Sequence, residues 1–312
     1  PISTVTPPLD DRINEHSIKI SIESFNCHGM KQTYPYICDR MQNCDILCLS
    51  ETWLRPGEVD IMKNKISRDR SLSNGKISVF LKSGMPDTAS DFCGRPYGGV
   101  GIIAKDLHGF TFNELNVNSE RIIAVRMCDS AGNAKQIIVS CYLPYFDKSN
   151  ITQTDQFKEC IDVLQSLIDQ YASSCPIRLC GDCNVQLPRQ LQLHRNWPNK
   201  KGFNAPSRIV YDFLVSNNML LADFISKQSV TYTYSCPQTD VFTWIDHFAV
   251  FSHEISDIVN CSIVPPDAAN TSDHLPVSLV VNVTTSTSGT SALCTNPTVF
   301  SEIGRASCRE RV

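Results

Sequence analysis

The chain contains no run of about 18 consecutive apolar residues, which excludes an ordinary membrane-spanning helix. It has no basic excess either: 28 Lys and Arg stand against 32 Asp and Glu, for a net charge of −4. That excludes attraction of nucleic acid by the surface as a whole. A local site is not excluded, because carboxylates that hold a metal count as negative while the ion returns positive charge. One CxxC is present, Cys180 to Cys183, but no second Cys or His pair at zinc spacing accompanies it, so neither a zinc site nor a redox motif is expected there. There is no internal repeat, and no linker interrupts residues 17–284, which read as one domain. There is no initiator Met and no signal peptide. The chain opens at Pro1 and is expected to be cut at its N-terminus, so the missing targeting segment carries no weight.

Cysteine, by contrast, is abundant: 15 residues, an odd number, many inside apolar runs such as DILCLSETW and IIVSCYLP. These are expected to be buried free thiols acting as small hydrophobes. Residues 1–16 are polar and read as a loose leader, and 285–301 as a Ser/Thr-rich tail. The segment 302–312, EIGRASCRERV, resembles the translation of a sequencing-adapter oligonucleotide, and is expected to be a scar that truncates the natural chain.

Between these ends, apolar runs of strand length recur at 18–26, 45–53, 98–105, 121–128, 136–144, 177–184, 230–234, 242–251 and 274–283. A helix is predicted over 155–174, where Phe157, Cys160, Ile161, Leu164, Leu167, Ile168 and Tyr171 fall on one stripe, with Thr154 as N-cap. Others are predicted at 207–218, capped by Ser207, and at 34–43. Helices intermix with strands, yet several strands follow one another directly. That implies an α/β sandwich of mixed sheets covered by helices rather than a purely parallel sheet.

Chemistry sits where the apolar runs end. In order, the polar tips are Asn26, Glu51, Tyr142, Asp182 with Asn184, Asp246, and Asp273 with His274. In layered α/β folds such tips converge on one rim, where ligands bind. The inventory suits phosphodiester hydrolysis. A hard divalent cation takes one or two carboxylates, for which Glu51 is the best candidate. Asp182 is placed to prepare a water as general base. His274 and Asn184 can stabilise the charge of the transition state, and Asp246 can hold the imidazole oriented and charged. Singly, each has a bland reading: a strand-end acid, a Gly-Asp turn, an Asx turn, a satisfied core histidine. The joint order is what points to an enzyme.

The set SFNCHGM, LSETWL, CYLPY, GDCNV, TWIDHF and SDHLPV, in this order, resembles the endonuclease/exonuclease/phosphatase superfamily. That resemblance implies a four-layer α/β sandwich with two central mixed β-sheets flanked by helices, deoxyribonuclease-I-like. It implies Mg2+, or Mn2+, held by Glu51 with Asn26 and Asp273 nearby. It also implies that Tyr142 contacts the scissile phosphate and that Asp182 and Asn184 handle the attacking water. His274, oriented by Asp246, would bind a phosphate oxygen. Within the superfamily, CDILCLSETWL and GRPYGGVGIIAK are similar to the endonucleases of LINE-type (non-LTR) retrotransposons, and YTYS resembles their DNA-contacting segment, which puts Thr233 on the DNA. Such an enzyme nicks double-stranded DNA in the nucleus, and the freed 3′-hydroxyl primes a reverse transcriptase encoded downstream.

Two basic stretches complete the reading. Residues 57–97 carry seven Lys and Arg and read as a solvated loop, or else as a DNA-backbone surface. Residues 189–204 follow the Asp182 tip, and there Arg189, Arg195, Lys200 and Lys201 are expected to contact phosphates. The alternatives are another phosphohydrolase of the same frame, acting on abasic DNA, a lipid head group or an inositol phosphate, and an inactive copy that only binds.

Overall fold

The computed structural model describes residues 15–72, 75–86, 94–145, 151–187, 205–236 and 238–286. The expectations for most of the leader, for the tail beyond 286 and for the adapter-like segment fall outside these residues, as does the whole of 188–204. In chain order the elements are β1 (Glu15–Asn26), α1 (Met30–Asn43), β2 (Ile46–Ser50), α2 (Pro56–Arg68), β3 (Ile77–Lys82), β4 (Val100–Lys105), β5 (Thr111–Glu114), β6 (Ile122–Cys128), β7 (Ala134–Tyr142), α3 (Ile151–Tyr171), β8 (Ile177–Asp182), α4 (Ala205–Ser216), β9 (Met219–Leu221), α5 (Ala222–Ile225), β10 (Tyr234–Cys236), β11 (Val241–Thr243), β12 (Asp246–Phe251), β13 (Ile258–Ile263) and β14 (Val277–Ser286).

Among the described residues the strands form two six-stranded sheets, ordered β13-β14-β1-β2-β4-β3 and β5-β6-β7-β8-β12-β9, with a separate β10-β11 ribbon. Both sheets are mixed: β1 runs parallel to β2 and β7 to β8, while the other described pairings are antiparallel. Period-two alternation assigns each strand two faces. On β2, Ile46 and Cys48 face the second sheet, while Leu47 and Leu49 face α1 and α2. On β6, Ile123 and Val125 face inward, while Ile122 and Ala124 pack under α3 and α4. Three apolar layers result: one between the sheets and one beneath each helical cover. Each fully buried Ile or Leu in them contributes about 1.5–3 kcal/mol. This is the four-layer sandwich with two central mixed sheets that the resemblance implied.

Several local expectations are corrected. The stretch 57–97 is not one long loop, because it contains α2 and β3. Pro56 opens α2 at a position where its missing N–H costs nothing, and Glu58 accepts from the Arg55 backbone N–H at 3.0 Å. Only Met62 and Ile66 are fully buried on this helix, so its apolar stripe is narrow among charges. The run 242–251 is not one strand but two, β11 and β12, broken at Trp244-Ile245. Helix α3 starts at Ile151, one turn before the expected Thr154 cap, and α4 at Ala205. Ser207 therefore lies inside α4, where its hydroxyl donates to the Gln186 carbonyl at 3.2 Å. The described cysteines are free thiols. Cys180 packs between the sheets and Cys183 against the outer core, so this CxxC pair straddles β8.

Candidate active site

Strand parity brings the polar tips together. The inward positions of β1 are Ile20, Ile22, Ser24 and Asn26; those of β8 are Arg178, Cys180 and Asp182; those of β12 are Val250, Phe248 and Asp246. Register aligns Tyr142 with Asp182 and Asp182 with Asp246, so three adjacent strands present their last inward side chains in one row. From the facing sheet, Asn26 reaches across, and its Nδ2 donates to Asp182 Oδ2 at 2.9 Å. The glycine before Asp182 is required by close packing: a Cβ on Gly181 would lie 1.8 Å from the Cys141 carbonyl oxygen.

His274 enters this row from the turn preceding β14. Its Nδ1 donates to Asp246 Oδ2 at 2.8 Å. Its Nε2 lies 3.9 Å from Asp182 Oδ2 and 4.0 Å from Asp273 Oδ1, facing two carboxylates without a hydrogen bond to either. Burial alone would lower the imidazole pKa, but Asp246, then Asp182 and Asp273, outweigh it and push it up to about 10. The surrounding carboxylates thus favour the protonated imidazole, although Asn26 Nδ2 also stands 3.4 Å from Nε2. Asp182 is pushed up to about 7, by burial first and then by the charge of Asp246, with His274 opposing. Its two oxygens are fixed from both sides, Oδ2 by Asn26 and Oδ1 by the Asn184 backbone N–H at 2.8 Å.

Glu51 completes the same rim through Tyr142. Burial, then the charge of Glu51 and a hydrogen bond to it, hold the Tyr142 phenol in its protonated form. Trp53 Nε1 donates to Glu51 Oε2 at 3.1 Å, and the Trp53 ring meets His28 edge-on at 4.4 Å. His28 Nδ1 in turn lies 2.6 Å from Asp273 Oδ1. Burial raises the Asp273 pKa, but His28 and His274 more than compensate and lower it. His28, Glu51, Trp53 and Asn184 are four of the seven non-glycine residues with positive φ among those described. Each such conformation costs about 1–2 kcal/mol, and strain gathered at one rim is a mark of a working site.

The structure thus gathers Asn26, Glu51, Tyr142, Asp182, Asn184, Asp246, Asp273 and His274 around one mouth. The Asn184 side chain is committed, its Nδ2 donating to the Leu143 carbonyl at 2.8 Å. Thr233 must be corrected. It is 0% exposed and offers no surface to a DNA strand. Its Oγ1 accepts from the backbone N–H groups of Ile245 and Asp246, both at 3.0 Å, and so positions the Asp246 carboxylate. Thr233→Val should leave both buried donors without a partner and destabilise the protein by about 2–4 kcal/mol in urea unfolding, with Thr233→Ser restoring most of it; a Val variant as stable as wild type would remove this role. Arg189, Arg195, Lys200 and Lys201 lie outside the described residues. The sequence reading missed His28 and Trp53, although both stand within two residues of a polar tip.

Charge decides how a metal fits. Asp182, Asp246 and His274 offer ligand atoms within 4.8 Å of one another. A proton already serves this trio, because its two carboxylates favour the protonated His274. Around it, Glu51 and Asp273 leave the rim strongly negative, where a phosphodiester anion would be repelled. Glu51 and Asp273 stand part-exposed at this rim, and their hard oxygens are of the kind a divalent cation takes.

No protein-family model matches the chain, and no curated protein does. The fold is shared with solved structures. The Leishmania major AP endonuclease LMAP superposes with a TM-score of 0.62 at 16% identity, over 84% of this chain and 87% of that one. The Xenopus laevis APE2 catalytic domain gives 0.62 at 16%, over 86% and 94%. A variant of the 3′ phosphatase NExo from Neisseria, bound to a product DNA hairpin, gives 0.58 at 13%, over 83% and 98%. At these identities the likeness defines the class of fold, the deoxyribonuclease-I-like sandwich.

Proposed function

We propose that this chain is a Mg2+-dependent endonuclease that hydrolyses DNA phosphodiester bonds. In this reading it is the nicking domain of a LINE-type retrotransposon, leaving a 3′-hydroxyl that primes a reverse transcriptase encoded downstream, and it acts on double-stranded DNA in the nucleus. The observation that carries the catalytic part is the buried Asp246–His274 pair beside a fixed Asp182, with Asn26 and Tyr142 completing the row. The DNA substrate is supported by the shared fold, since those structures are named as AP endonucleases and a DNA-bound 3′ phosphatase. The retrotransposon role rests on the sequence resemblance.

The side chains divide the work. Asp182 takes a proton from the attacking water, and its pKa near 7 suits a general base at neutral pH. Asn26 and the Asn184 N–H hold that carboxylate aimed. His274 donates from Nε2 to a non-bridging phosphate oxygen, held charged and oriented by Asp246. The Tyr142 phenol lies beside it and donates to Glu51 in the free site, and it can turn that proton to the phosphate when substrate is seated. A divalent cation held by Glu51 would neutralise and polarise the phosphoryl oxygens.

The test is nicking of supercoiled plasmid with Mg2+, with end mapping expected to give 3′-hydroxyl and 5′-phosphate termini. Turnover of sphingomyelin or inositol phosphates without nicking would replace this reading. The pH dependence should have two limbs. kcat/KM rises through about pH 7 as Asp182 ionises and falls toward about pH 10 as His274 loses its proton. A profile flat from pH 6 to pH 8 would remove Asp182 as the base.

A further inference from the structure

Beside the catalytic rim lies a pocket of about 230 Å3 whose walls include Gly29, Lys31, Thr52, Trp53 and Arg95. Two cations line it, and no acidic residue does among the described residues, in a chain whose net charge is −4. Trp53 forms its shared wall with the active site. The guanidinium of Arg95 stacks over that indole at 4.2 Å from the ring centroid and makes no hydrogen bond or ion pair among the described residues. Lys31 pairs with Glu58 at 2.5 Å, but its side chain is 54% exposed, and such a surface pair contributes little and can reorganise. Gly29 has φ +101°, and a Cβ there would lie 2.7 Å from Trp53 Cε3, so only glycine lets the start of α1 lie flat on the indole.

We propose that this pocket is a second phosphate site, taking a backbone phosphate of the substrate strand that flanks the one to be cut. The proposal rests on the nuclease reading and favours a substrate with more than one phosphate. A single strand carries one phosphate per ~3.4 Å of helix axis, so a strand seated on the rim has another phosphate to offer, whereas a head group with one phosphate, such as that of sphingomyelin, has none. Arg presents the planar fork of donors that suits a phosphate, and Lys adds a point charge. Because Trp53 also donates to Glu51, seating the flanking phosphate fixes the indole and through it the Glu51 carboxylate.

The test is equilibrium binding of a fluorescein-labelled DNA duplex in EDTA, followed by fluorescence anisotropy across a salt series. Arg95→Ala and Lys31→Ala should each weaken Kd by about 5–10-fold and flatten the slope of log K against log salt by about one. Lys76→Ala serves as the charge-matched control. Its side chain is exposed at the far end of β3 and should bind within about twofold of wild type. The pocket is refuted if Arg95→Ala and Lys31→Ala bind as tightly and as steeply as wild type, if Lys76→Ala loses as much as they do, or if the wild-type chain does not bind the duplex. Plasmid nicking in Mg2+ separates the two claims. A wild type that binds through Arg95 and Lys31 yet never nicks sinks the endonuclease reading alone. A wild type that nicks while both variants bind normally sinks the pocket alone.

Discussion

Asp182→Asn is expected to lower plasmid nicking by about 10²–10⁴-fold, the usual contribution of a positioned general base, while making the protein more stable at neutral pH. The second half follows from linkage. Folding raises the Asp182 pKa from 3.8 to about 7, so the native state resists its ionisation. The sign is that of a raised carboxylate: it has no effect on stability below about pH 4, and its destabilisation grows as pH rises to about 7. A shift of that size corresponds to ~4 kcal/mol. Against it, the Asn side chain cannot accept both hydrogen bonds that the carboxylate takes from Asn26 and Asn184, a loss of about 1–2 kcal/mol. A net gain of about 2 kcal/mol is expected at pH 8, shrinking towards pH 4.5, in urea unfolding at the two pH values. If the Asn variant is less stable than wild type at pH 8, the Asp182 carboxylate is not held against its solvation and the base assignment loses its physical support.

Glu51→Ala should remove nicking to about 10³-fold below wild type or beyond, because losing the carboxylate proposed to hold the metal would forfeit several kcal/mol of charge stabilisation. Glu51 sits part-exposed on the rim, outside the three apolar layers, so circular dichroism and the urea midpoint should stay close to wild type. Glu51→Gln keeps the acceptor for Trp53 Nε1 but not the charge, and should be nearly as inactive. A titration with Mg2+ distinguishes a weakened site, rescued at high concentration, from a lost one. Nicking by Glu51→Ala at the wild-type rate would show that this carboxylate holds no catalytic ion.

Much of the fold was legible because buried strands advertise themselves. DILCLS and IIVSCY are continuous apolar runs, as strands covered on both faces must be. Helix α3 was legible because its apolar stripe is broad. Helix α2 was not, because Met62 and Ile66 are its only buried residues, Ile61 is apolar yet exposed, and charged side chains interrupt the stripe. The break between β11 and β12 was hidden for a different reason. FTWIDHF is apolar enough to continue, but Thr233, twelve and thirteen residues earlier, takes the N–H groups of Ile245 and Asp246. The same bonds explain why a threonine that reads as a DNA contact is buried: the resemblance marked the position, and tertiary hydrogen bonding gave it a structural task.

By itself, the chain's order of residues determined the long apolar strands β1, β2, β4, β6, β7, β8, β12 and β14 and the acid, amide or imidazole near the ends of several of them, because an apolar run is a local property; β3, β5, β9 and β13 carry no such run. Only the tertiary structure decided what those groups are chemically. His274 favours its protonated form because Asp246, Asp182 and Asp273 surround it in a buried place, and Asp182 titrates near neutrality because that same place strips away its water. Charge state depends on neighbours brought from chain positions as far apart as 26 and 274, and no local pattern carries that information.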